Sequence, residues 1–140
     1  MEPKYTTEAL STGDARNGHV EVKDSNLAFE MAAPKEMGGS GEGSNPEQLF
    51  AAGYAACFHQ ALKAVSRKVK ADAADSAVGA RVSIGDNGEG GMQLGVVLEV
   101  VLPNVDREQA QELAEQAHQM CPYSNATRGN IEVQVTVAED

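Results

Sequence analysis

Two cysteines in 140 residues are too few for the disulfide framework of a small secreted domain. A reducing compartment would hold both as thiols until some reaction oxidised them. Basic side chains are also scarce: 11 lysines and arginines against 21 acidic residues leave a formal charge of -10. That field repels phosphate backbones and anionic lipid alike, so neither nucleic acid nor a membrane surface is an expected partner. Long apolar runs are missing too. No stretch approaches the ~18 uninterrupted apolar residues of a membrane-spanning helix, and Met1 to Leu10 contain nothing resembling the apolar run of a signal peptide. The expectation is a cytoplasmic protein. What the chain does have is 41% hydrophobic residues, enough for one compact domain over residues 1–140 that folds without staples.

Val20 and Val22 alternate with polar neighbours, as do Leu27, Phe29 and Met31, and Asp24-Ser25-Asn26 between them predicts a hairpin. Residues 38–45 are glycine-rich but lack the Lys-Ser/Thr signature of a phosphate cradle, and Glu42 would repel an anion, so they read as a flexible connection. Asn45 as N-cap, Pro46 at the first helical position, Glu47 in the first turn and Gln48 at the capping-box position announce a helix. Phe50, Tyr54, Cys57, Ala61 and Val65 recur on one face of it. Ala51, Ala52, Ala55 and Ala56 leave room for another helix on the far side. Arg67, Lys68 and Lys70 suit its C-terminal end. Val78 to Ile84 and Leu94 to Leu102 alternate around the turn at 85–91 and form a second hairpin. A second helix begins near Asp106, places Ala110, Leu113, Ala114, Ala117 and Cys121 on one stripe, and is interrupted by Pro122. Ile131, Val133, Val135 and Val137 form a closing strand. This order of elements predicts an α+β fold.

A single buried cysteine is more often a small apolar residue than a nucleophile. Two sulfurs with His59 and His118 also raise the question of metal, but at about 100° per helical residue positions 57 and 59 diverge, and only His118 with Cys121 could share an ion. The longer motifs carry more information. Asn-Pro-Glu-Gln-Leu-Phe-Ala-Ala-Gly-Tyr-Ala-Ala-Cys (45–57) and Cys-Pro-Tyr-Ser-Asn-Ala-Thr-Arg-Gly-Asn (121–130), with the loop Pro34-Lys-Glu-Met-Gly-Gly-Ser-Gly, closely resemble the organic hydroperoxide resistance (Ohr) family of the OsmC/Ohr superfamily. The resemblance runs from about residue 4 to the C-terminus.

What the resemblance implies is a thiol peroxidase that reduces organic, including lipid, hydroperoxides. It would be an intertwined homodimer with central helices flanked by antiparallel sheets, re-reduced by a dithiol such as the lipoyl groups of lipoylated proteins. By position, Cys57 matches the peroxidatic cysteine, Cys121 the resolving one, Glu47 the motif glutamate and Arg16 the N-terminal arginine. Around Arg16 this chain reads Gly13-Asp14-Ala15-Arg16-Asn17-Gly18 where the family has a tighter glycine-glycine-arginine pattern, and Asp14 is placed to compete for the guanidinium.

The residue types suit such chemistry without metal or cofactor. A free cysteine of pKa ~8.5 supplies only a few per cent thiolate at neutral pH. Cys57 lies too deep in its helix for the dipole, so a cation is needed to lower its pKa, and about two units require about 2.7 kcal/mol. Arginine can supply this without losing its proton, and Glu47 would fix its fork. Along a straight helix Glu47 and Cys57 are about 15 Å apart, so the carboxylate acts through Arg16 or in a partner subunit. Phe50, Phe58, Met37 and Tyr123 are candidate substrate-binding residues, an apolar approach for an alkyl tail. His59 and His118 are incidental to a thiolate held by arginine. An OsmC-type peroxidase of broader range, a non-enzymatic module for apolar ligands and a metal-binding protein remain the alternatives.

Overall fold

The computed structural model describes residues 1–138, which divide into two compact units, one ending at Leu49 and the other beginning at Phe50. In the first, β1 (Ala9–Thr12), β2 (His19–Val22) and β3 (Ala28–Glu30) form an antiparallel sheet in that order. The hairpin expected between β2 and β3 is present, with Asp24 in the left-handed region and Ser25 Oγ accepting from the Leu27 amide at 2.9 Å. Sequence pattern gives no sign of β1, because all four of its residues are exposed and none alternates against a core.

The glycine-rich stretch is not the loose connection its composition suggests. Lys35–Met37 forms a short 3-10 turn, the Gly39 and Gly41 amides donate to Pro34 and Ala33, and Met31 and Ser44 form a parallel bridge. Main-chain hydrogen bonds fix this loop where side chains are too small to do so. At its end stands the expected capping box: Asn45 Oδ1 accepts from the Gln48 amide at 2.8 Å and Gln48 Oε1 accepts from the Asn45 amide at 3.1 Å. The helix it opens, α1 (Pro46–Lys68), continues into the second unit and ends on Arg67 and Lys68.

The second unit adds β4 (Ala77–Asp86), β5 (Met92–Val101), α2 (Arg107–Met120), α3 (Pro122–Thr127) and β6 (Val133–Val137). β4 and β5 are an antiparallel hairpin whose turn is organised by Asn87 Oδ1, which accepts from the Glu89 and Gly91 amides. β6 runs parallel to β5, so this sheet is mixed rather than wholly antiparallel. The reason is topological: α2 and α3 form the crossover that returns the chain to the same end of the sheet. Asp106 caps α2 by accepting from the Gln109 amide at 2.8 Å. Pro122 does interrupt the helix, but it also begins α3, where its missing N–H costs nothing.

The core of this unit joins Tyr54, Phe58, Ala61, Leu62 and Val65 of α1 to alternate residues of β5 (Val96, Leu98, Val100) and to Ala110, Leu113, Ala114 and Ala117 of α2. The buried stripe of α1 is therefore rotated from the predicted one. Phe58 and Leu62 lie on it, while Phe50 and Cys57 fall at its edge and keep some exposure. Cys121 is fully buried at the α2–α3 joint.

Candidate active site

The fold brings two distant thiols together. Cys57 is held by the middle of α1 and Cys121 by the extended residue between α2 and α3, and their sulfurs are 3.7 Å apart with both cysteines free. Their exposure differs: Cys57 is half-buried and Cys121 has no accessible surface. Burial pushes the Cys57 thiol above its ordinary value, the Tyr123 backbone amide pulls it down, and the adjacent Cys121 thiol raises it further. A thiolate favoured by its surroundings is the expectation from sequence. The groups of its own unit make it a weaker acid instead, because desolvation outweighs one amide.

In the first unit, Arg16 and Glu47 form the expected fork: Nη2 donates to Oε1 at 2.9 Å and Nη1 to Oε2 at 3.2 Å. The hydrogen bonds from Arg16 hold the Glu47 carboxyl below the usual carboxylate range, and those to Glu47 push the guanidinium up. Arg16 is 39% exposed and Glu47 14%, so the carboxylate is the more enclosed partner. Asp14 does not take the guanidinium; it precedes a short turn in which Ala15 adopts a φ of 53° and Arg16 is carried to Glu47.

Of the residues expected to receive an alkyl tail, Phe50 and Tyr123 meet in an aromatic cluster with Tyr54, at centroid distances of 5.8 Å for Phe50–Tyr54, 6.1 Å for Phe50–Tyr123 and 5.6 Å for Tyr54–Tyr123. Tyr123 also crowds Gly53, where an added Cβ would lie 2.8 Å from its hydroxyl. Phe58, by contrast, has no exposed surface and packs in the core beside His118, so it does not line an approach from solvent. Met37 is exposed at the end of the 3-10 turn in the first unit.

The match to known proteins covers most of the chain. Residues 39–136 match the family model described as OsmC-like protein. An organic hydroperoxide resistance protein of Xanthomonas axonopodis pv. citri (strain 306) is 46% identical over 136 residues, spanning 96% of this chain and 94% of its own. The organic hydroperoxide resistance protein OhrB of Bacillus subtilis (strain 168) is 43% identical over 132 residues, spanning 94% and 96%. The crystal structure of an organic hydroperoxide resistance protein from Elizabethkingia anophelis superposes with a TM-score of 0.94 at 49% identity and full coverage of both chains. The chain belongs to the OsmC-like family.

Within this OsmC-like frame, one group of side chains escapes a reading of the sequence. Tyr54 Oη lies 2.8 Å from Ser124 Oγ and 3.1 Å from Thr127 Oγ1, and His118 Nδ1 lies 2.7 Å from Ser124 Oγ. Tyr54 counts as one more apolar residue on a helical stripe, yet a fully buried tyrosine hydroxyl requires a partner, which is the available signal. His118 is thus engaged by Ser124, and burial holds its ring below the ordinary imidazole value. His59 is bound to Ser76 at 2.9 Å. Among the described residues no three metal-ligating side chains cluster, and no helix is long and apolar enough to cross a membrane.

Proposed function

We propose that this protein is a cytoplasmic, cysteine-based peroxidase that reduces organic hydroperoxides, lipid hydroperoxides included, to alcohols. The observation that carries the reading is the approach of two free thiols, 64 positions apart in sequence, to 3.7 Å. The names of the relatives supply the substrate class.

The Cys57 thiolate attacks the distal oxygen of ROOH and the O–O bond breaks. The hydroperoxide's own proton stays on the transferred oxygen, so Cys57 becomes a sulfenic acid, and the alkoxide takes from solvent the proton that the thiol had released and leaves as ROH. Cys121 Sγ then attacks the Cys57 sulfur, the S–O bond breaks, and water leaves with the thiol proton. An S–S bond of about 2.05 Å requires the sulfurs to close by about 1.7 Å. A dithiol, for which lipoyl groups on lipoylated proteins are our candidate, reduces the disulfide and is itself oxidised.

Since the immediate neighbours of Cys57 disfavour its charge, the thiolate needs a cation, and Arg16 is our assignment for it, carried over by position from the family. Glu47 binds two of the five guanidinium donors and fixes the fork, leaving the others for a thiolate and a peroxide oxygen. Phe50 and Tyr123, with Met37 from the loop, are proposed to receive the alkyl chain. The working form is proposed to be a homodimer whose sites draw on both subunits.

The test is a thiol titration of reduced protein with one equivalent of cumene hydroperoxide or of hydrogen peroxide, run beside Cys57→Ser and Cys121→Ser. Two thiols should vanish rapidly with the organic peroxide, slowly with hydrogen peroxide, and not at all without Cys57. Persistence of both thiols with either oxidant refutes the assignment and favours a binding module with inert cysteines.

A further inference from the structure

The three helices that meet around Cys121 share a chain of hydrogen bonds whose protons can be counted. His118 Nδ1 meets Ser124 Oγ, Ser124 Oγ meets Tyr54 Oη, Tyr54 Oη meets Thr127 Oγ1, and Thr127 Oγ1 donates to the Ser124 carbonyl at 3.2 Å. Four contacts require four protons, and the three hydroxyls supply one each. A carbonyl only accepts, so the Thr127 proton is committed to it. Thr127 Oγ1 then accepts from Tyr54, Tyr54 Oη from Ser124, and Ser124 Oγ from the imidazole. The fourth proton must sit on Nδ1 of His118.

We propose that Tyr54, Ser124, Thr127 and His118 are a positioning network for the resolving step, with His118 held as the Nδ1–H tautomer. This rests on the peroxidase reading above. Each cysteine sits three residues after a member of the network (57 − 54 and 121 − 118), so the hydroxyl chain ties α1 just before Cys57 to α2 just before Cys121. The helix α3 has only six residues, too few to persist without tertiary support. It begins immediately after Cys121 and carries Tyr123, whose amide bears on the Cys57 sulfur. Fixing α3 through Ser124 and Thr127 therefore fixes both the resolving sulfur and an amide at the attacking one.

A Cys57 sulfenic acid has two fates. Attack by Cys121 gives the disulfide and water; attack on a second ROOH gives the sulfinic acid and ROH, which thiols do not reverse. The network sets how often the first outcome wins. The experiment exposes reduced protein to excess cumene hydroperoxide and measures the ratio of intramolecular disulfide to Cys57 sulfinic acid by mass spectrometry. It compares the unaltered chain with Tyr54→Phe, Thr127→Val and Thr127→Ser. Tyr54→Phe and Thr127→Val, which keep volume but lose a hydroxyl, should lower the ratio about fivefold, the factor expected for one lost hydrogen bond. Thr127→Ser keeps the hydroxyl and should retain the ratio. Nitrogen-resolved NMR of the unaltered protein should show His118 protonated at Nδ1.

An unchanged ratio in both hydroxyl-deleted variants overturns the positioning role, and so does an equal loss in Thr127→Ser. An Nε2–H ring overturns the proton assignment, and should Tyr54→Phe not fold, the Thr127 pair and the NMR result decide alone. Failure of the unaltered chain to form any disulfide would instead overturn the peroxidase reading itself.

Discussion

If Cys57 and Cys121 are a functional pair, oxidation by one equivalent of hydroperoxide should make the protein more stable. The disulfide would close a loop of 64 positions, and the loss of unfolded-chain entropy for a loop of that length is worth about 4 kcal/mol. Against this stands the strain of closing the sulfurs from 3.7 Å. Half-exposed Cys57 has room to turn, whereas packed Cys121 moves only if the α2–α3 joint yields. Allowing about 1–2 kcal/mol for that adjustment leaves about 2–3 kcal/mol, which for a chain of this size raises Tm by roughly 5–10 °C. Calorimetry of reduced and oxidised samples reads the shift, with a non-reducing gel to establish that the bond is intramolecular. An unchanged or lower Tm in fully oxidised protein would refute the claim that the reduced geometry is disposed to the bond. A similar rise in Cys121→Ser would show that the cross-link is not its source.

Glu47→Gln should slow hydroperoxide reduction about tenfold or more by loosening the Arg16 fork, while shifting stability by less than about 1 kcal/mol because the pair is partly solvated; competition kinetics and urea unfolding separate the two effects. Burial holds the rings of His59 and His118 below the ordinary imidazole value, so the folded state binds fewer protons than the unfolded chain. Their contribution is complete above about pH 6.5 and is lost as pH falls through the folded values. His19, raised by its hydrogen bonds to Glu30 and Glu21, works in the opposite sense, so the urea midpoint of His19→Gln should drop between pH 7.5 and 5.5, and a flat profile in that variant would contradict the burial. Ala15→Gly should stabilise the protein by about 0.5 kcal/mol, since the left-handed conformation at φ 53° costs alanine more than glycine loses in unfolded-state entropy; thermal unfolding checks the sign.

What the sequence made legible were features set by local rules. The capping box of α1, the start of α2 near Asp106, the β4–β5 alternation and the break at Pro122 all follow from neighbours within a few residues. Features set by distant partners were not legible. β1 has no buried face to betray it and exists through its pairing with β2. The direction of β6 depends on where α2 and α3 deliver the chain. Motifs singled out Cys57, Cys121, Glu47 and Arg16, of which the fold brings the two sulfurs together and, in the first unit, pairs the arginine with the glutamate; Phe58, named among the candidates for an apolar approach, is buried in the core. A periodicity of three and four leaves several stripes open on an alanine-rich helix, and only the packing against β5 and α2 chooses among them.

That choice of stripe determines which cysteine is open to a reagent from solvent. Had 54, 57, 61 and 65 been the centre of the buried face, both thiols would be closed to solvent and neither could meet a hydroperoxide. With Phe58 and Leu62 at the centre instead, Cys57 is turned to the edge and Cys121 alone remains sealed. An order of reactivity follows without reference to acidity. In native reduced protein, a limiting amount of iodoacetamide should alkylate Cys57 well before Cys121, and peptide mapping should find Cys121 modified only as the protein unfolds. In Cys57→Ser, the remaining thiol should then resist the reagent until denaturant is added. Comparable labelling of the two cysteines in folded protein would mean that the α2–α3 joint opens readily, and the assignment of Cys57 as attacker and Cys121 as resolver would lose its structural basis.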